Sequence, residues 1–224
     1  MDNQFDLIFY DRFFNWEVMA GSYIVKNSKF SVDFLTEFSN YEQKLPKGAH
    51  GSDNGAIHLF FADKIFPGDL EVDTCREVYY NSWNSADLSA YTGCIRGILG
   101  SRTDFGNIRI MKKGTGWSKD DWLTSGLWNP ARDFMLHGWK TKQLKTTPSD
   151  VLKPIPMKYD QWYNPLAGPI VVERCFIGNT SWSYTPRLLG DRKQIDESLM
   201  EYARKVDKEK AKSLGRLSLI LENP

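Results

Sequence analysis

The sequence predicts an α/β fold, and three observations carry that prediction. Short apolar runs flanked by charges, such as Leu7 to Tyr10 between Asp6 and Asp11, have the length and character of buried strands. Elsewhere apolar residues recur at helical spacing behind a capping residue, as Phe30, Phe34, Leu35 and Phe38 do after Asn27-Ser28. Stretches rich in Gly and Pro separate the two kinds of pattern.

In chain order, the strand at 7–10 ends on Asp11 and Arg12, and Met19 to Val25 predicts a second strand that starts near Gly21-Ser22. The Ser28-capped helix follows, and Lys44 to Gly51, with Pro46, Gly48 and Gly51, is a loop. Ser52-Asp53 then precedes the apolar run Ala56 to Phe61, which places Asp53 at the mouth of a helix, either as a simple cap or with its carboxylate toward a ligand. His58, one turn further in, is expected to be packing. Residues 67–93 read as turn-rich, and Cys94 to Leu99 as a short helix ending at Gly100. Asn107 to Met111 alternates as a strand does, and Lys112 to Trp117 forms a glycine loop that lacks the lengths of a Walker or Rossmann motif. The five prolines from Pro148 to Pro169 predict an extended segment wrapping the core. Residues 196–220 predict an amphipathic helix that docks by its apolar face. The domain reading is therefore residues 1–145, followed by a proline-rich segment and terminal helix over 146–224.

Composition narrows the function classes. The chain has 224 residues, 41% of them hydrophobic, which is enough to build a core. A net charge of +1 provides no field to hold nucleic acid or an anionic membrane. No apolar run approaches the about 18 residues of a membrane span, and the Met1-Asp2-Asn3-Gln4 start lacks the form of a signal peptide. Aromatics reach 14%, with eight Trp, and such rings serve both core packing and the lining of carbohydrate or nucleotide pockets. Cys75, Cys94 and Cys175 match no zinc spacing; the first two form either a disulfide or a pair of buried thiols. Asn179-Thr180-Ser181 is a glycan acceptor sequence if the chain enters a secretory lumen.

The densest chemistry lies in Phe134 to Lys140. An apolar strand end there delivers His137, Gly138 and Lys140 within four residues. An imidazole suits a divalent metal, an ammonium suits a phosphate, and glycine lets a ligand approach the backbone. The bland alternative is a satisfied structural histidine at the end of an apolar run.

Four blocks together, Leu7 to Arg12, Ala20 to Asn27, Gly51 to His58 and Arg132 to Lys140, resemble a nematode family known as domain of unknown function 273. The resemblance covers most of residues 4–145. That family in turn resembles retaining Golgi glycosyltransferases of the galactosyl/mannosyltransferase group, which have a GT-A fold. The resemblance implies the C-terminal part of a nucleotide-diphospho-sugar transferase domain, a nucleotide sugar as donor, a glycan as acceptor, Mn²⁺ as cofactor and a Golgi or secretory lumen as location. Carried over by position, it makes His137 the late metal ligand and Lys140 the residue that steadies the diphosphate. Gly138 permits close approach, Asp53 stands near the reacting sugar, and Gly21 and Ser22 border the pocket.

The pattern also has a gap. Such enzymes place an Asp-x-Asp motif after an upstream apolar strand, whereas here Glu71-Val72-Asp73 has the acids but follows the turn Pro67-Gly68. The expectation is a family member without its first βαβ region, in which one histidine without two carboxylates holds Mn²⁺ weakly and the chain alone is inactive. A non-catalytic module that binds glycan or protein is the alternative. A hydrolase pairing Asp53 with Glu17 or Glu42 has no spacing to recommend it.

Overall fold

The computed structural model describes residues 4–45, 53–138, 140–146, 161–177 and 182–222. The tip of the loop at 46–51, most of the proline-rich segment and the acceptor triplet at Asn179 lie outside the described residues. Packing divides the chain into two units, residues 1–116 with 204–224, and residues 117–203. The compositional boundary at 145/146 marks the onset of the prolines rather than either of these packing divisions.

The first unit is built on a four-stranded sheet. β1 (Leu7–Tyr10) is central and runs parallel to β4 (Ile108–Met111), with Leu7 opposite Ile108 and Tyr10 opposite Met111. β2 (Ile24–Val25) and β3 (Asp104–Phe105) flank them antiparallel, giving the order β2-β1-β4-β3. The long connection between the parallel strands is helical, as a parallel pair requires. α1 (Lys29–Ser39) starts at Ser28, whose hydroxyl accepts from the Ser31 N–H at 3.2 Å, as the sequence predicted.

α2 (Asp53–Ile65) is buried continuously from Gly55 to Ala62. A helix apolar on all sides belongs in the middle of a core, and here Phe60 and Phe61 meet Phe34 at ring separations of 4.9 and 5.8 Å. Phe9 on β1 closes the cluster, 5.0 Å from the Phe61 ring.

Residues 67–93 are not turn-rich. They form α3 (Leu70–Tyr80) and most of α4 (Ser85–Leu99). Asp69 caps the first, its carboxylate accepting from the Glu71 N–H at 2.8 Å, and Val72, Cys75, Val78 and Tyr79 form the buried stripe. Asn84 caps the second, accepting from Ala86 and Asp87. The expected short helix at 94–99 is the last turn and a half of α4, and it ends at Gly100 with φ 64°. A Cys75–Cys94 disulfide joins the two helices across a Cα separation of 5.7 Å, which resolves the two alternatives left by the sequence.

The strand expected over Met19 to Val25 also shrinks, to Ile24–Val25. Val18 and Ala20 donate their N–H groups to side chains of α2 instead, His58 Nε2 at 3.0 Å and Asn54 Oδ1 at 2.9 Å. Amides spent on side chains cannot form a ladder. At the far end of the chain, the single amphipathic helix expected over 196–220 is two, α5 (Arg192–Leu214) and α6 (Leu217–Glu222), with Gly215 between them. α6 places Ile220 in the first unit's core, and Arg216 reaches the buried carboxylate of Asp87 at 2.7 Å.

The second unit contains two small parallel pairs. β5 (Ser118–Asp120) pairs with β6 (Met135–His137), and β7 (Leu144–Lys145) pairs with β8 (Trp162–Tyr163). Residues 192–203 of α5 belong to this unit.

Candidate functional site

The β5–β6 pair fixes the local geometry around His137. Its register sets Ser118 opposite Met135, Lys119 opposite Leu136 and Asp120 opposite His137. Lys119 is buried, 3% exposed, and its ammonium lies 2.9 Å from Asp133 while donating to Thr124 Oγ1 and the Leu127 carbonyl. Burial pulls the Lys119 pKa down, with Asp133 opposing it. Asp133 also accepts from Arg132 at 2.6 Å and from the Asn129 N–H at 2.9 Å. A buried charge pair is tolerated when its remaining lone pairs are filled in this way. The network pins the residues that lead into β6 to the middle of β5.

One residue further on, alternation turns Asp120 toward His137. The His137 Nδ1 and Asp120 Oδ1 atoms are 2.6 Å apart, with the carboxylate side chain 5% exposed and the imidazole 41%. A carboxylate only accepts, so the contact favours a proton on Nδ1 and fixes the ring's orientation. This pair sits at the carboxyl ends of two parallel strands, where α/β proteins bind ligands. Gly138 follows with φ 91°, a conformation open to glycine and strained for side chains. A Cβ at that position would meet nothing nearer than Asp120 Oδ1 at 4.0 Å, so backbone conformation rather than crowding favours the glycine. Lys140 is exposed, and its carbonyl accepts from Trp162 Nε1 at 2.8 Å.

The remaining candidates lie in the first unit. Asn54 and His58, one helical turn apart on α2, hold the backbone of Val18 and Ala20, just before Gly21 and Ser22. Asp53 is exposed in the first turn, with Oδ1 accepting from the Asn54 N–H at 2.8 Å. His58 is the packing residue the sequence predicted. It is fully buried and donates from Nδ1 to the Asn54 carbonyl at 2.6 Å, and burial lowers its pKa to about 3.

Two features escaped the sequence reading. Asp120 is the first, because nothing in the local sequence shows that residues 17 positions apart are strand partners. The second is a charged cluster where β1 and β4 end. Asp11 meets Arg96 at 2.8 Å, and burial raises its pKa against the pull of Arg96. Lys113 donates to the carbonyls of Arg12, Phe13 and Asn15, and burial lowers its pKa to about 8. The sequence signal was present as an acid closing one strand and a Lys-Lys-Gly turn closing the other.

Mn²⁺ is the cofactor that the resemblance implies. Among the described residues no group of three His, Cys, Asp or Glu side chains converges to hold a metal, and Asp120 spends an oxygen on the imidazole. A hard cation of this kind depends on several oxygen ligands.

Fold and site together define a mixed α/β protein with an Asp–His pair at the carboxyl ends of parallel strands. The chain belongs to the family described as Protein of unknown function, DUF273, whose model matches residues 1–154. No curated protein and no solved structure matches it. Among the described residues no helix is long and apolar enough to cross a membrane.

Proposed function

We propose that the chain is a glycosyltransferase-like protein and that the face carrying Asp120, His137, Gly138 and Lys140 binds the diphosphate of a nucleotide sugar. The observation that carries this reading is the carboxylate-held imidazole at the carboxyl ends of β5 and β6, followed by a glycine at positive φ. His137 supplies an imidazole, Gly138 adds no side chain beside it, and Lys140 adds a cation on a flexible stem that suits phosphate oxygens. Asp120 acts through His137 by holding its orientation. In this reading the acceptor is a glycan. Hexose transfer assisted by Mn²⁺ is the activity this reading proposes. The Cys75–Cys94 disulfide supports an oxidising compartment such as the secretory lumen.

Calorimetry with UDP and GDP, each with and without Mn²⁺, tests the proposal. Binding of at least one of them is expected, weakened about tenfold or more in both His137→Ala and Asp120→Leu. Asp120→Asn, which keeps an acceptor for the Nδ1–H, is expected to restore part of the loss. The absence of binding, or binding indifferent to His137→Ala, would overturn the reading.

A further inference from the structure

Within the first unit, α1, the end of α2 and the β3–β4 hairpin enclose a groove of about 590 Å³, a volume typical of small-molecule clefts. It is bordered by Asn107 and Ile108, where β4 begins. The groove therefore lies at the opposite end of the parallel pair from Asp11 and Lys113. Reacting ligands of α/β sheets gather at the carboxyl ends, so this groove serves recognition rather than chemistry. We propose that it is a carbohydrate-binding site for a glycan chain of uncharged hexoses.

The class of ligand follows from what the lining offers. Phe30 is 38% exposed and stacks on buried Phe34 at a ring separation of 6.2 Å, giving a supported aromatic face. Arg102 lies across both Phe66 and Phe105, its guanidinium 5.1 and 5.2 Å from their ring centroids. That contact holds the guanidinium beside both rings in the groove wall. The carboxylates on the rim are each matched by a cation of the same unit. Asp33 pairs with Lys29 at 2.5 Å, Glu37 with Lys64, and Asp104 with Arg109 at 2.8 Å.

Carboxylates paired in this way offer little attraction to a cationic ligand, yet their lone pairs still accept from hydroxyl groups. The remaining requirement is a ligand with a flat apolar face for the rings and hydroxyls around its edge. A hexose ring has that shape and that chemistry. The proposal rests on this lining and is independent of the role given to His137.

Saturation-transfer NMR and calorimetry with neutral disaccharides (lactose, cellobiose, maltose and a mannobiose) test it, with UDP as a charged comparison. Binding of at least one disaccharide is expected, weakened about tenfold in Phe30→Ala and in Arg102→Lys. Both substituted positions are solvent-exposed, and an unaltered circular dichroism spectrum confirms that the variants fold. Failure of all four disaccharides to bind, or equal binding by both groove variants, would overturn the proposal. So would UDP competing for the same groove.

Discussion

His58 makes acid sensitivity a specific expectation for this protein. The imidazole is fully buried on α2, accepting from the Val18 N–H at 3.0 Å and donating to the Asn54 carbonyl at 2.6 Å. Accepting from the Val18 N–H requires the neutral ring, and burial lowers its pKa from 6.5 to about 3. In the unfolded chain the ring takes up its proton near pH 6.5, whereas the folded chain does not until about pH 3. The unfolded state therefore binds more protons throughout this window, and stability falls as pH falls. The slope approaches 1.4 kcal/mol per pH unit, which sums to ~5 kcal/mol across the window and to ~3 kcal/mol by pH 4.5. That is a large share of a typical domain stability of about 5 to 15 kcal/mol.

Carboxylates contribute their own acid dependence, so the informative quantity is the difference between wild type and His58→Gln. Glutamine retains a donor and an acceptor but does not titrate. At pH 7 the variant is expected to be less stable by ~1 to 3 kcal/mol, from imperfect satisfaction of a buried amide. Urea unfolding followed by tryptophan fluorescence, at intervals from pH 7 to about pH 4, should show that gap narrowing by about 1.4 kcal/mol per pH unit below 6.5. A gap that stays constant with pH would refute the assignment of His58 as a buried neutral ring.

Lys113 gives a dependence of the same sign in alkali. Its folded pKa of about 8 lies below the ordinary 10.5, so stability should rise by up to ~1.4 kcal/mol per pH unit between about pH 8 and about pH 9.5. Burial raises the pKa of Tyr79 to about 12, and its opposing loss begins only near pH 10. Lys113→Met, measured by urea unfolding, should flatten the rise, and an unchanged slope would show that Lys113 is not its source. The Cys75–Cys94 disulfide closes a loop of 19 residues, and replacing both cysteines by Ala should cost ~3 kcal/mol by unfolding-state entropy. Thermal unfolding within a degree of wild type would contradict that account.

The elements most legible in the sequence were those whose local pattern and tertiary role agree. β1 and β4 are short apolar runs between charges and are central strands; α1 has a serine cap and an aromatic stripe. α3 was hidden because its buried stripe uses Val72, Cys75, Val78 and Tyr79 among acids, and because Pro67-Gly68 just before it reads as a turn. The segment 19–25 failed in the other direction. Its apolar character was real, but the amides of Val18 and Ala20 are taken by side chains from α2, more than thirty residues away. His137 could be singled out from its own neighbours, whereas Asp120 depended on the register of a parallel pair. Parallel register leaves no mark in either strand alone.

The first unit is discontinuous in sequence, and this sets an order on its assembly. Residues up to Gly116 supply the sheet and four helices, but Ile220 completes their core and Arg216 neutralises the carboxylate of Asp87. During synthesis the ribosome must produce the whole of residues 117–203 before those closing side chains exist. The apolar ground of α3 and α4 that α6 covers stays open to solvent over that interval, and it is there that a nascent chain of this protein is most exposed to chaperones or to misassociation.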